Sequence, residues 1–413
     1  MSFSEWREVK LGDISDFAKG RISISEINVE NYVSTDNMLP DKGGKVIASS
    51  LPITKNVLRY SKEQTLISNI RPYFKKIWFA NTNGGCSSDV LVFKLTGKVA
   101  PKYFYYCLSQ DSFFDYVMAG SKGTKMPRGD KQQIMMYPLL LPPLDEQKAI
   151  AATLSCLDDK IELNNRINKN LEEIAQAIFK SWFVDFEPFQ DGEFEDSELG
   201  RIPKGWRVGK IEEYAKCELG GTPSRTKEEY WNGDIPWINS GKTNEFRITQ
   251  PSEYITELGL ASSSTKLLPA KTTVVAITGA TLGQVSLLEI QSCTNQSVVG
   301  ILENELVPYE FIYPLTCKHI TSILQNKTGG AQQHINKRNI EKELIIMPDR
   351  KNMSIYKGIV KPIYQQIAIN CFQNHILIPI RDALLPKLMN GEIRVPFEDV
   401  IFIKRNKGDV CRR

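Results

Sequence analysis

The chain lacks most of what an exported or metal-dependent protein would carry. Its eight cysteines are scattered, with no CxxC pair, which argues against a zinc ribbon and against a disulfide framework. Histidine is scarce: only His319, His334 and His375 occur, and Cys317 with His319 is the nearest approach to a metal pair. Two ligands do not close a tetrahedral site, so no metal is expected. No segment reaches the roughly 18 apolar residues that a membrane span requires. The opening MSFSEWREVK has no apolar core of signal-peptide length. These absences lead to the expectation of a cytoplasmic protein with no membrane partner.

Catalytic signatures are missing too. GKT at 241–243 has Pro236 where a phosphate loop needs its first glycine. There is no GxSxG nucleophile turn, and no Glu-x-Lys follows Asp89 to complete a nuclease-like set. Neither a glycine-rich nucleotide loop nor an Asn-Pro-Pro signature is present, so a self-contained methyltransferase is disfavoured along with a nuclease. PPLD at 142–145 instead reads as the start of a helix, with Asp145 and Glu146 favouring its positive end.

What is there is a folded composition, 41% hydrophobic and 24% charged over 413 residues. That length predicts two domains of roughly 130 to 200 residues with a connector. The net charge of +4 permits a polyanionic partner without requiring one.

The chain is written twice. WREVKLGDI (6–14) resembles WRVGKIEEY (206–214), pairing Trp6 with Trp206 and Leu11 with Ile211. Further on, residues 65–93 lie on 272–300, so that Ile70 meets Ile277 and Cys86 meets Cys293. PKYFYYCL (101–108) falls on PYEFIYPL (308–315), and residues 131–143 fall on 337–349. A nearly constant offset over this span points to duplication of one unit.

Between the copies, AIAATLSCLDDKIELNNRINKNLEEIAQAIF (149–179) contains no glycine or proline. Its seam of Ile150, Leu154, Leu157, Ile161, Asn164, Asn168, Leu171, Ala175 and Ile178 alternates steps of four and three, the period of a coiled coil. The same seam recurs at 356–384, with Asn370 and Asn374 in place of Asn164 and Asn168. An apolar stripe needs covering, and an antiparallel pairing of the two helices would cover both. Such a bar would be roughly 50 Å long and would hold the globules apart about a pseudo-twofold axis. The asparagines would fix its register at the middle by bonding each other. Pro362, Pro379 and Arg381 lead us to expect that the second helix starts late or bends.

The expected organisation is therefore a first globule at 1–145 and a central helix at 146–184. An acidic, solvated linker follows at 185–200, then a second globule at 201–350 and a C-terminal helix with tail at 351–413. The fold class is α+β: TTVVAIT and SDVLVFKL look like strands, and PKYFYYCLSQDSFFDYV like one helix packing its aromatics inward.

Polar and basic residues cluster in loops that correspond between the copies. The segment 120–133 offers Lys122, Lys125, Arg128, Lys131 and Gln132, and its copy at 328–339 offers Gln332, Gln333, His334, Lys337 and Arg338. Arg71, Tyr73, Lys75 and Lys76 add to the first globule, and Thr222, Ser224, Arg225 and Lys227 to the second. Such side chains contact base edges and phosphates, making double-stranded DNA the expected partner; a scaffold that binds only proteins is the alternative.

The phrases LPPLDEQKAIAATLSCLDDKIELNN (141–165), GGTPSRTKEEYWNGDIPWI (220–238), IRPYFKKIWFA (70–80) and LLPKLMNGEI (384–393), together with the duplicated architecture, resemble the DNA-specificity subunits of type I restriction-modification systems. The resemblance spans nearly the whole chain. It implies two target recognition domains, each reading one half of a bipartite site, and a helical spacer that sets the gap and docks two modification subunits. In that family S-adenosylmethionine is bound by modification subunits that methylate adenine. ATP and Mg belong to the restriction subunits that translocate and cut DNA, so no cofactor and no catalytic residue would belong to this chain.

Overall fold

The computed structural model describes residues 6–123, 125–325 and 333–395. The chain divides into two compact units, residues 1–160 with 377–413 and residues 161–376. Each contains mixed strands and helices, and each takes part of both long helices, so neither helix forms a body of its own.

In the first unit a four-stranded sheet runs in the order Ser15–Phe17, Val90–Leu95, Thr65–Ser68, Ile77–Phe79. All four residues of Thr65–Ser68 are buried, as expected of a β-branched central strand covered on both faces. A second sheet joins Arg21–Ser23, Asn56–Tyr60, Gly84–Cys86 and Tyr32–Val33. Gly84 and Gly85 are demanded there by close approach: a Cβ on Gly84 would lie 2.1 Å from the Asn31 carbonyl oxygen. The strand Arg7–Lys10 pairs with Pro138–Leu141 immediately before the first long helix.

The second unit repeats this plan. Its main sheet is ordered Lys216–Leu219, Val298–Leu302, Thr273–Ala276, Val285–Leu287. Arg207–Lys210 pairs with Leu344–Met347 just before the second long helix, matching the two-stranded pair of the first unit. The duplication written in the sequence is therefore a duplication of strand order.

The long helices are Leu144–Phe183 and Arg350–Met389, each of 40 residues. They pair antiparallel within each unit. In the first, Ile150 and Leu154 pack with Leu385, Leu388 and Met389. Arg381 there bonds Asp158 at 3.1 Å, and Asp158 also accepts from the Tyr106 hydroxyl at 2.6 Å. In the second, Ala175, Phe179 and Phe183 pack with Met353, Tyr356, Val360 and Tyr364. Asn164 donates to Asn374, and Asn370 to Asn168, each at 2.8 Å.

Three expectations need correction. The second long helix neither starts late nor breaks: it begins at Arg350 and is continuous through Pro362 and Pro379. Both prolines are exposed, so the carbonyls they deprive of a partner face solvent, and Arg381 is accommodated by Asp158. The acidic stretch at 185–200 is solvated, with no buried residue, but it is a folded segment rather than a plain connector. Phe186 and Phe189 pack on Trp206 with ring centroids 5.7 and 4.9 Å away, and Phe194–Ser197 forms a hairpin with Gly200–Pro203. Its phenylalanines, spaced between the acids, supply the apolar face.

Finally, the aromatic segment of the first unit is two helices, Pro101–Leu108 and Asp111–Ala119. Ser109 Oγ and Gln110 Nε2 donate to the carbonyls of Tyr105 and Cys107, at 2.8 and 3.3 Å, and close the first of them. The corresponding segment of the second unit is one helix, Tyr309–Gln325, with Pro314 inside it.

Candidate nucleic-acid interface

Strand direction gathers the candidate residues. In the first unit Ser15–Phe17 and Thr65–Ser68 both run antiparallel to Val90–Leu95, so the segments after the first two and before the third emerge at one sheet edge. These segments hold Arg71, Tyr73, Lys75, Lys76 and Asp89. The loop at 120–130 joins them through backbone bridges from Arg128 to Ile70 and from Arg128 to Lys122.

The turn at 70–76 is held under strain. Arg71 and Lys75 flank the 3-10 turn Pro72–Phe74 in the left-handed region, with φ of 48° and 50°. Such conformations cost on the order of 1 to 3 kcal/mol each for a non-glycine residue. They persist because Arg71 N–H donates to the Pro127 carbonyl at 2.8 Å, and Asp41 and Lys42 N–H donate to Phe74 and Lys75 carbonyls at 2.9 and 3.0 Å. The consequence is an exposed aromatic apex, Tyr73 beside Phe74, with ring centroids 4.6 Å apart.

The cations around this apex differ in their freedom. Lys75 and Lys42 both bond Asp111, at 3.0 and 2.9 Å, and these ammonium groups, Lys42 first, hold that carboxyl below its usual range. Lys76 donates to the Thr35 carbonyl at 2.6 Å. Arg128 pairs with Asp89 at 3.0 Å, and Lys122 with Asp130 at 2.7 Å. Lys122 and the N–H groups of Gln133 and Gln132 keep the Asp130 carboxyl below its usual range. Lys125 and Gln132 are exposed. Lys131 lines a cavity of about 520 Å³ with Phe17, Arg21, Thr54, Asn56 and Ser87.

The second unit brings the corresponding segments to the corresponding edge. Lys216–Leu219 and Thr273–Ala276 are antiparallel to Val298–Leu302. Thr278, at the sequence position of Arg71, forms a backbone bridge with His334, at the position of Arg128. Here Gly279 and Gly283 take the positive φ values, 73° and 84°, so the turn carries no bulky-residue strain. Its apex is Ala280 and Thr281 rather than two aromatics.

The loop at 220–227 leaves this edge in a fixed shape. Thr222 Oγ1 bonds Gln296 Oε1, while the indole N–H groups of Trp237 and Trp231 donate to the carbonyls of Gly221 and Ser224, at 3.1 and 3.2 Å. Gly220 and Gly221 leave no room for a Cβ, which would stand 2.2 Å from Asn295 O and 2.3 Å from Ser264 Oγ. Ser224 Oγ bonds Thr226, and Lys227 bonds the Tyr230 hydroxyl at 2.9 Å. Arg225 is paired to Glu253.

The remaining candidates scatter somewhat. Lys337 pairs with Glu341 at 3.1 Å on the short helix Lys337–Glu341, whose Arg338 faces a separate hollow with Asn336, Asn339 and Lys342. Gln333 is exposed, and Gln332 lies outside the described residues. Asp89, Gln296, Trp231 and Glu253 belong to the edges but were not among the sequence candidates. Asp89 and Gln296 share one position of the repeat, which is the signal that would have found them.

Among the described residues neither cysteine near these edges is an activated nucleophile. Cys86 and Cys293 are fully buried, and burial pushes their thiols up to about 12 and about 11. Among the described residues no three metal-ligating side chains cluster, and no helix is long and apolar enough to cross a membrane.

Comparison with known proteins accords with this geometry. A family described as the type I restriction modification DNA specificity domain matches twice, at residues 3–173 and 203–375. The type I restriction enzyme HindI specificity subunit of Haemophilus influenzae is 27% identical, over 94% of this chain and 100% of its own length. The MjaIX specificity subunit of Methanocaldococcus jannaschii is 30% identical over 72% of this chain and 70% of its own. Among solved structures, the S subunit of a type I restriction-modification system from M. genitalium superposes with a TM-score of 0.61 at 16% identity. That match covers 93% of this chain and 96% of the other, and extends the likeness to the fold.

Proposed function

Because the chain belongs to the type I restriction modification DNA specificity family, whose domain it carries twice, we propose that each unit reads one half of a bipartite duplex site with the sheet edge described above. The observation that carries this is the likeness of the two edges: the Arg71 and Arg128 segments in one unit are bridged through Ile70 and Arg128, and the corresponding segments in the other through Thr278 and His334, one repeat position along. Exposed cations such as Arg71 and Lys125 would contact phosphates and set position, while Thr222, Gln296 and Arg225 would face base edges. The edges differ in composition, so the half-sites differ.

In this reading the paired helices set the gap between half-sites, with Asn164, Asn168, Asn370 and Asn374 holding their register. Half-sites one helical turn apart, roughly 34 to 36 Å, lie on one face of the duplex. Modification subunits would dock on the helices. Ile355, Ile359, Ile369 and Ile376 leave an apolar stripe exposed on the second long helix, Ile376 by 60%, and such stripes mark interaction sites. Methylation with S-adenosylmethionine and cleavage driven by ATP with Mg would be work of partner subunits in the cytoplasm, this chain supplying recognition and no catalytic group.

The test is duplex binding as a function of salt, with the affinity falling steeply if several phosphates are contacted. Salt-independent or absent binding would favour a protein-only scaffold. Purified chain that methylated or cut DNA by itself would establish an enzyme instead.

A further inference from the structure

Arg225 is held in an unusual way for an exposed arginine. Its guanidinium carbon lies 3.5 Å from the centroid of the Trp231 ring and 5.2 Å from that of Trp237. Both terminal nitrogens donate to Glu253, one to each carboxylate oxygen, the Nη2 bond measuring 2.9 Å. The two tryptophans meet edge to face at 5.3 Å. They also pin the backbone on either side of Thr222 through their indole N–H groups. Glu253 itself sits on the strand Glu253–Ile255, opposite Trp237. Loop, stack and carboxylate thus fix the arginine from three directions.

Even so, the Arg225 side chain stays 52% exposed. Its Nε makes no hydrogen bond among the described residues, because Glu253 engages only the outer end of the guanidinium. The edge formed by Nε–H and the neighbouring Nη–H is left as a second, parallel pair of donors.

Two ligands on a duplex could accept from that edge, a phosphate or a guanine. Charge decides between them. A phosphate brought to Arg225 would also meet the Glu253 carboxylate, so the pair offers it almost no net attraction and a repulsion at short range. Guanine presents neutral acceptors, O6 and N7, spaced for two parallel N–H donors, and gains from a fork already immobilised by stacking. We propose that Arg225 is a guanine-reading residue of the second half-site, with Glu253 and Trp231 as the positioning residues that aim it. This rests on the reading of that edge as a DNA interface and adds to it a base and an atom-level contact.

The first unit has no counterpart among its described residues. After Ser15–Phe17 its chain enters the strand Arg21–Ser23, paired with Asn56–Tyr60, rather than a stacked loop. The Arg225 contact therefore belongs to one half-site.

Selection of full-length chain on a library of randomised duplex DNA tests this with Arg225→Lys, Arg225→Ala and Glu253→Gln, each first compared with the native protein by thermal unfolding. The native chain is expected to select two half-sites, one containing a G·C pair that both Arg225 variants stop distinguishing, by roughly ten- to a hundred-fold. Arg225→Lys keeps the charge and should keep overall affinity while losing that preference; Glu253→Gln should weaken the same position only. The proposal is overturned if Arg225→Lys retains the preference. It is equally overturned if Arg225→Ala weakens all sequences alike and lowers the salt slope by about one, which is a phosphate contact. A native chain that selects no sequence would overturn the DNA reading itself.

Discussion

Asn370 donates a hydrogen bond to Asn168 Oδ1 at 2.8 Å, inside a seam where the two side chains are each 3% exposed. Four residues along, Asn164 donates to Asn374 at the same distance, and Asn374 donates on to Asn165 at 2.7 Å. The four asparagines therefore pair crosswise: each bonds the copy of its neighbour, as an antiparallel duplicated helix requires.

A double-mutant cycle follows from this pairing. Asn168→Leu or Asn370→Leu alone strands one buried amide and should lower stability by about 1 to 3 kcal/mol in urea unfolding. The double variant removes both partners and should recover most of that loss. Additive losses would mean that the two amides do not interact.

Arg247 anchors the second unit's sheet region to the central helix. Its guanidinium is fully buried and donates to Glu172 at 2.7 Å and to the Tyr313 hydroxyl at 3.1 Å, with Glu289 at 3.7 Å. Arg247→Met leaves two carboxylates short of their counter-ion, an expected loss on the order of 3 to 5 kcal/mol by urea unfolding. A loss under about 1 kcal/mol would show the cluster to be dispensable.

Glu310 gives a pH test. Its side chain is completely buried, and burial pushes its carboxyl above the ordinary value of 4.5. The folded state then keeps a proton that the unfolded chain releases, so stability falls as pH rises from about the unfolded value towards the folded one. Glu310→Gln cannot release a proton, and its melting temperature should gain on the native protein between pH 5 and pH 8. A gap that does not widen over that range would contradict the assignment.

Arg71 separates strain from contact. Arg71→Gly suits the φ of 48° and removes one exposed cation. Thermal stability should hold or rise while duplex affinity falls and the salt slope drops by about one. Unchanged affinity would remove Arg71 from the interface.

Much of this was legible in the sequence. The offset linking Ile70 to Ile277 anticipated that two turns would occupy the same edge, and the seam spacing anticipated which asparagines lie inward. The parts missed were those decided at long range. Glu253 lies 28 residues from Arg225 and Gln296 lies 74 from Thr222, and no local pattern links either pair. The folded linker was hidden because its acids outweigh its phenylalanines in composition, though the latter find Trp206. Pro362 and Pro379 misled because helix breaking is a local penalty, and the buried face of the same helix overrides it.

The central claim is that the two units read separate half-sites, and sequence selection by the full-length chain on randomised duplex DNA tests it most directly. Native protein should select two half-sites at a fixed gap. Substitutions at Arg71 and Arg128 should disturb only one of them, and substitutions at Thr222 and Thr278 only the other. If either set alters both half-sites together, or if no sequence is selected, the account is wrong.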